Sequence, residues 1–374
     1  MTALTENPQP AAPDGPRRIV VSVDAMGGDR GPATVVAGLA RSAGNNPDIA
    51  FLLHGDEAVL KPLVAKHAAL AGRCEIRHAD EVVTMEDKPA QVLRHGQKTS
   101  MYSTIEAVRD GDAGVAVSCG NTGALMVLSM MRLRKLPGVN RPAIACYWPS
   151  TNPAGFNVML DVGADVRADA ADLLQYALMG VSYARNSLNI TQPRVGLLNV
   201  GTEDHKGRTE IKAAAELIAD AAGVADFEFI GNVEGSDIPS NRVDVIVTDG
   251  FTGNVALKTA EGTAGLIKSV FQEALTATLP AKIGALFAAR QLKILSRRTD
   301  PRQVNGGVFL GLNGTVVKSH GAADATGIAA AVTLAYDLAR HDFNHKLAAR
   351  VASVVAPGQD GQTPQQAGDS QNEE

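Results

Sequence analysis

Short apolar runs alternate with helical patterns along most of the chain, and this alternation limits the fold more than any other feature. The strand-like runs cover residues 18–23, 49–53, 114–117, 157–160, 195–198 and 243–247, and the helical patterns cover 32–43, 56–71, 122–134, a stretch from 254, and 322–340. Repeated strand–helix units form parallel sheets that are covered on both faces. We therefore predict an α/β fold with three α/β/α layers and a mostly parallel sheet.

Charge is nearly balanced over the 374 residues, with 35 Lys and Arg against 40 Asp and Glu. Proteins that coat nucleic acid usually carry a strong basic excess, so no nucleic-acid partner is expected. The Pro-rich residues 1–17 and the acidic residues 351–374 cannot bury a core, and we predict that they are disordered tails. The folded body should therefore comprise residues 18–350.

The cysteines and the hydropathy pattern predict the cellular setting. Only three scattered cysteines are present, without a CxxC pair, as is typical of a reducing cytoplasm. The sequence contains no run of 18 or more apolar residues, so no membrane span is predicted. The eight histidines show no metal-binding spacing, so no metal site is expected.

Several predicted strands end in a glycine-rich turn that opens a helix. These turns read DAMGGD (24–29), SCGNTGA (118–124), NVGTEDHKG (199–207) and TDGFTGN (248–254). Such a turn presents the unpaired N–H groups of a helix N-terminus, which together with the helix dipole attract an anion. Phosphate is thus the first predicted ligand, and glycines that merely shape the turns are the alternative. Neither GxGxxG after the first strand nor a P-loop occurs, so no nucleotide cofactor is predicted.

Motifs of this chain resemble those of one bacterial enzyme family. They include VDAMGGDRGP (23–32), KPAQVLRHGQKTSM (88–101), SCGNTGALM (118–126), LDVGAD (160–165), GLLNVGTEDHKG (196–207), DVIVTDGFTGNVALKTAEG (244–262) and VKSHGAA (317–323). In these motifs the chain is similar to the PlsX-type phosphate acyltransferases, also called acyl-ACP:phosphate transacylases, from about residue 18 to 345. The family usually has Ala at the position of Cys119 and Asn at the position of Asp165.

The resemblance implies a fold like that of the isocitrate and isopropylmalate dehydrogenases, which phosphotransacetylases share. It implies that inorganic phosphate attacks the thioester of a long-chain acyl-ACP, without a cofactor, and that acyl phosphate is released for phospholipid synthesis. It also implies a homodimer in the cytoplasm, peripherally associated with the inner face of the cell membrane. There a membrane glycerol-3-phosphate acyltransferase would take the product.

Phosphate is a nucleophile at neutral pH, so the enzyme needs only to hold two reactants together and to stabilise an oxyanion. We predict that the phosphate-binding residues are Ser118, Asn121, Thr122, Thr252 and Asn254. We predict that Lys206 and His320 stabilise charge, with Asp24 and Asp249 orienting them. A nucleophilic Cys119 is the less favoured alternative to a packed side chain.

Residues 282–302 form a basic amphipathic segment. Its predicted membrane or carrier contacts are Lys282, Arg290, Lys293, Arg297 and Arg298. Such a segment can bind an anionic membrane surface, dock an acidic acyl carrier protein or pack in a dimer interface.

Three other functions remain open at this stage. The first is a phosphotransacetylase acting on short acyl-CoA, and the second is a dehydrogenase of the same fold group. The third is a non-catalytic scaffold for lipid enzymes that residues 282–302 hold at the membrane.

Overall fold

The computed structural model describes residues 18–298 and 306–355, and its centre is a sheet of eleven strands. In chain order these are β1 (Ile19–Asp24), β2 (Ile49–Gly55), β3 (Cys74–His78), β4 (Val115–Ser118), β5 (Ala143–Pro149), β6 (Phe156–Leu160), β7 (Arg194–Leu198), β8 (Glu228–Val233), β9 (Val245–Val247), β10 (Gly307–Leu310) and β11 (Thr315–Lys318).

The sheet contains two groups of parallel strands that run in opposite directions. Its order is β3-β2-β1-β4-β11-β10-β5-β6-β9-β7-β8. The neighbours β11–β10, β10–β5 and β5–β6 are antiparallel, and the other pairs are parallel. Three reversals separate β4 from β9, so the carboxyl ends of these two strands lie at opposite edges of the sheet. The prediction of a mostly parallel sheet is confirmed.

Helices cover both faces of this sheet. They are α1 (Pro32–Asn45), α2 (Glu57–Ala65), α3 (Pro89–His95), α4 (Ser100–Arg109), α5 (Thr122–Arg132), α6 (Ala170–Leu188), α7 (Thr209–Ala222), α8 (Gly250–Thr276), α9 (Leu279–Phe287), α10 (Ala289–Arg298), α11 (Ala325–Arg340) and α12 (Phe343–Val355). In β4, Val115 and Val117 belong to the core that contains residues of α1, α6 and α11, whereas Ala116 belongs to the core beneath α4 and α5. Alternate residues of a strand point to opposite faces, so the predicted three layers are confirmed.

Helix boundaries follow the capping residues. Asp56 caps α2 as its Oδ1 accepts a hydrogen bond from the Ala58 N–H, but the helix ends at Ala65 rather than at the predicted residue 71. Asp324 caps α11, so this helix begins later than predicted. Helix α12 continues to Val355, beyond the predicted end of the body at residue 350. The predicted tail 1–17 and residues 356–374 lie outside the described part of the chain.

Helix α8 starts on the sheet and then leaves it. Residues 262–274 are all exposed, and α9 and α10 continue this projection, which we call the arm (residues 262–298). The arm exposes large apolar side chains, among them Leu266, Ile267, Val270 and Phe271 of α8. None of the helices in residues 18–298 and 306–355 combines the length and the apolar character that crossing a bilayer requires.

Candidate active site

The carboxyl ends of β1 and β4 meet at a buried carboxylate. Asp24 pairs with Ser118 across the two strands and is 1% exposed. Its oxygens accept hydrogen bonds from Ser100 Oγ and Ser118 Oγ, each at 2.7 Å, and from the Met26 N–H at 3.3 Å. Burial raises the pKa of Asp24, and the two serine hydrogen bonds oppose this effect. Asp24 thus fixes the start of two glycine turns, and its predicted role in orienting Lys206 and His320 stays a prediction.

These two glycine turns touch each other through their backbones. A Cβ on Gly27 would collide with the Asp24 carboxylate and would lie 3.0 Å from the backbone of Gly120. Real Cβ atoms are rarely this close to backbone atoms, so only glycine fits there. The DAMGGD and SCGNTGA turns therefore form one rigid surface at this edge.

Strand β11 brings a third loop to the same edge. Lys318 pairs with Ser118, and the Ser319 N–H donates to Ser118 O at 2.9 Å. The Asp29 N–H donates to Gly321 O at 3.0 Å, so the loop that contains His320 is fixed to the first glycine turn.

Lys318 supplies a partly buried cation beneath these turns. Its Nζ donates to the carbonyl oxygens of Cys119 and Ser319. Burial lowers the pKa of Lys318 to about 8, so the amine is largely protonated at pH 7. Cys119 is 2% exposed and burial raises the pKa of its thiol, which supports the packed side chain rather than a nucleophile.

Lys258, Glu261 and His320 form a group that we call the Lys258 triad. Lys258 Nζ lies 2.8 Å from Glu261 Oε2 and 3.0 Å from His320 Nε2, and His320 Nε2 lies 3.7 Å from Glu261 Oε2. His320 and Lys258 lower the pKa of Glu261 to about 2, so its carboxylate is ionised at neutral pH. The side chains of Lys258 and His320 are half exposed, so the triad can meet a ligand.

Asn121 has a structural role that differs from its predicted one. Its Oδ1 accepts from the Ala124 N–H at 3.0 Å and caps α5, while its Nδ2 donates to the carbonyl oxygens of Met85 and Asp87 at 3.0 Å. The amide thus ties α5 to the loop at 84–88 instead of facing a phosphate. Thr122, also predicted, is exposed in the first turn of α5, where helix N–H groups lack partners within the helix.

The TDGFTGN turn (248–254) lies at the opposite edge of the sheet, because β9 runs antiparallel to β4. Asp249 caps α8: its Oδ1 accepts from the Thr252 N–H at 2.8 Å, and its Oδ2 accepts from Thr252 Oγ1 at 3.0 Å and from Arg208 at 2.5 Å. Against the effect of burial, the hydrogen bonds from Thr252 and Arg208 keep the pKa of Asp249 below its usual value. The donors of Thr252 are therefore committed to the cap, which corrects their predicted use for phosphate.

Lys206 lies near this second edge and not beside His320. It follows β7 and forms an exposed ion pair with Glu203 at 3.1 Å. Lys206 and His320, both predicted to stabilise charge, therefore lie at different edges, because a sheet with two strand directions separates them.

Asn254 contacts the loop after β6 at the edge where α8 begins. Its side chain lies 3.7 Å from the position of a Cβ on Gly163, in the loop that follows β6. One turn of α8, about 6 Å along its axis, separates Asn254 from Lys258. The first turns of α8 therefore connect the GFTG turn with the Lys258 triad.

The predicted membrane or carrier contacts all lie on the arm. Lys282, Arg290 and Lys293 are exposed on α9 and α10. Arg297 and Arg298 end α10, and their side chains, like all of residues 299–302, lie outside what the structure describes. Across the residues it does describe, no three His, Cys, Asp or Glu side chains are placed to hold a metal ion.

The sequence prediction omitted Glu261 and did not place Lys258 in the site. Their spacing of three residues on a helix, with opposite charges, is a visible signal of a side-chain pair. That signal could not show that His320 joins them, because the contact depends on the position of β11.

The chain is similar to known proteins over most of its length. The family described as fatty acid synthesis protein matches residues 19–346. The phosphate acyltransferase of Paracoccus denitrificans is 66% identical over 360 residues, which cover 96% of this chain and 97% of that protein. The phosphate acyltransferase of Dinoroseobacter shibae is 69% identical over 335 residues, which cover 90% of this chain and 87% of that protein.

Solved structures show the same fold at low identity. A phosphotransacetylase from Streptococcus pyogenes aligns with a TM-score of 0.58 at 16% identity, covering 86% of this chain and 94% of that one. The EutD phosphotransacetylase from Staphylococcus aureus aligns with a TM-score of 0.56 at 13% identity over the same shares. The fold shared with phosphotransacetylases and the resemblance of the motifs are thus confirmed. The chain belongs to the family of phosphate acyltransferases, and it is an acyltransferase.

Proposed function

We propose that the enzyme transfers a long-chain acyl group from acyl-ACP to inorganic phosphate and that the acyl phosphate serves phospholipid synthesis. The names of the relatives support transfer to phosphate. The observation that carries the proposal is the convergence of the Lys258 triad with the start of α5 at one edge of the sheet. This arrangement offers cations and backbone donors to two anions, the phosphate and the developing oxyanion.

Phosphate binds in this proposal at the N-terminus of α5. The N–H groups of Thr122 and Gly123 face it, and the helix dipole adds to the attraction. Lys318 contributes a positive charge from beneath the turn. Lys258 then lies toward the carbonyl oxygen of the thioester, where an ammonium group stabilises the tetrahedral intermediate.

His320 moves the proton that the reaction releases. Nε2 of His320 lies 3.0 Å from Lys258 Nζ. In the neutral tautomer in which Nε2 accepts a hydrogen bond from this lysine, the imidazole can take up a proton. An oxygen of hydrogen phosphate attacks the carbonyl carbon, the new C–O bond forms, and the C–S bond breaks. The phosphate proton passes through His320 to the leaving thiolate, so the products are acyl phosphate and the free carrier thiol.

The test is an assay of thiol release from hexadecanoyl-ACP with and without phosphate. We expect release that requires phosphate, with acyl phosphate trapped by hydroxylamine, and a much lower rate with acetyl-CoA as donor. Faster reaction with acetyl-CoA would instead identify a phosphotransacetylase. Release without phosphate would identify a thioesterase, and no release at all would support the scaffold.

The arm supports the proposed homodimer and the proposed membrane contact. The exposed apolar residues of α8 offer a surface to a second copy of the chain. On α9, Ile283, Leu286 and Phe287 share one face, and Leu286 and Phe287 are 75% and 84% exposed. Lys282 and Arg290 flank this face. An apolar face with a basic rim is typical of helices that lie on anionic lipid.

Vesicle flotation tests the membrane contact. The native protein should float with phosphatidylglycerol vesicles and less with phosphatidylcholine alone, and the double variant Leu286→Ser, Phe287→Ser should stay in the dense fraction. Val224→Ser is the matched control because Val224 is 76% exposed on the body of the protein. Reversal of charge at Arg297 and Arg298 should weaken flotation on anionic lipid as well. Equal flotation of all variants would reject the contact.

A further inference from the structure

A cavity of about 420 Å³ lies between α5 and two loops at the edge opposite to His320. Met126 and Met130 of α5 form one apolar wall, and Pro142 and Ala164 form another. The polar lining residues are Arg134, Lys135, Asn140, Arg141 and Asp165. The two methionines are four residues apart and therefore lie on one face of the helix. Methionine side chains are flexible and apolar, so the cavity suits an apolar ligand of variable shape.

Helix α5 runs from the proposed reaction site to the cavity. Helix α5 begins at Thr122 beside the triad and reaches Met130 after about 12 Å along its axis. Helix α8 runs the other way over the same core, from Asp249 toward Lys258, and its residues Ala256, Leu257 and Ala260 pack on that core with Met130. Both helices thus pack on one core, and α5 leads from the reaction site to the cavity.

We propose that this cavity receives the distal methylenes of the acyl chain, with Met126 and Met130 as determinants of chain length. This inference rests on the proposed function, because it requires a thioester at the triad. From there the chain extends along α5 and leaves the aqueous phase as it passes the methionines. Each methylene buried in an apolar site improves binding about fourfold.

The far end of the cavity has a polar boundary. Arg141 lies on the cavity wall and forms an ion pair with Asp165 at 2.5 Å and a longer one with Asp172 at 3.6 Å. A chain that extends past this point would displace the pair or lie against it, which costs more than a methylene gains. The Arg141–Asp165 pair therefore sets the upper limit of chain length.

The experiment compares kcat/KM for acyl-ACP donors with chains of 8 to 18 carbons. Met130→Trp should fill the cavity. It should lower kcat/KM for hexadecanoyl-ACP by about sixteenfold, the loss of two methylenes at about fourfold each, and leave octanoyl-ACP within about threefold. Met131→Trp is the matched control because Met131 is the adjacent residue and is exposed. It should keep the native profile.

A second variant decides the matter if Met130→Trp does not fold. Ala164→Leu enlarges a side chain on the other wall and should shift the preference to shorter chains as well. Folded variants of either kind with the native chain-length profile would overturn the inference, as would an equal shift with Met131→Trp. If the native protein forms no acyl phosphate from any donor, the proposed function itself has failed, which this design separates from failure of the cavity assignment.

Discussion

Replacing Lys258 with methionine should lower the rate of acyl phosphate formation about a hundredfold or more. Methionine keeps an unbranched apolar stem but removes the ammonium group that lies 3.0 Å from His320 and 2.8 Å from Glu261. Loss of one electrostatic donor to a tetrahedral intermediate typically costs two to three orders of magnitude in kcat. The measurement is steady-state thiol release with saturating phosphate and acyl-ACP.

The matched control for this variant is Lys268→Met, because Lys268 is an exposed lysine on the same helix, in the arm. We expect native kcat from it. A Lys258→Met enzyme that retains kcat within about threefold of the native value would remove Lys258 from the mechanism. A proportional loss in both variants would indicate damage to α8 rather than loss of a catalytic group.

Replacing Asp161 with alanine should destabilise the fold by about 4 kcal/mol, since buried donors left without partners cost about 1–3 kcal/mol each. Asp161 is fully buried, and its carboxylate accepts hydrogen bonds from the backbone N–H groups of Ile144, Gly163, Ala164 and Asp165 at 2.8–3.1 Å. The Ala164 N–H contacts both carboxylate oxygens, which makes five contacts from four N–H groups. Because every contact comes from a donor, the ionised carboxylate is the form that this geometry accommodates. Thermal unfolding should show a Tm lower by roughly 8 °C.

Asparagine does not rescue this position, because its amide NH₂ would face N–H donors. Asp220→Ala is the control, since Asp220 is exposed on α7, and it should change the free energy of unfolding by less than about 0.5 kcal/mol. A Tm for Asp161→Ala within about 2 °C of the native value would contradict the assignment. Gly250 and Gly253 pack directly on Asp161, so the same variant should also displace the start of α8.

Local order was predictable because local patterns determine it. Strands such as β1 and β4 and helices such as α1 follow from apolar runs, Pro32 at a helix start and capping side chains. Strand order was not, because β11 enters the sheet beside β4 from almost two hundred residues away. No local pattern shows which strand becomes a neighbour, so the sequence could not place His320 beside Ser118 or separate Lys206 from it.

Two polar residues of the glycine turns, Asn121 with a predicted phosphate contact and Asp249 with a predicted orienting role, act as helix caps in the structure. Asn121 and Asp249 each precede a helix, and asparagine and aspartate are both favoured at the N-cap position. In both turns the side chain accepts from a backbone N–H three residues later. The capping pattern was readable in NTGA and DGFT. Only the tertiary contacts of Asn121 with the loop at 84–88 show that its remaining donors are used as well.

Helix α8 sets a fixed phase between the reaction site and the arm. Lys258 and Glu261 belong to the same unbroken helix as Leu266 and Val270, so one inserted residue between them would turn the arm by about 100° around the axis. Gly262 and Gly265 lie at this junction, and each favours the helix by about 1 kcal/mol less than alanine would. The helix that fixes the orientation of the arm relative to Lys258 is therefore least stable at these two glycines.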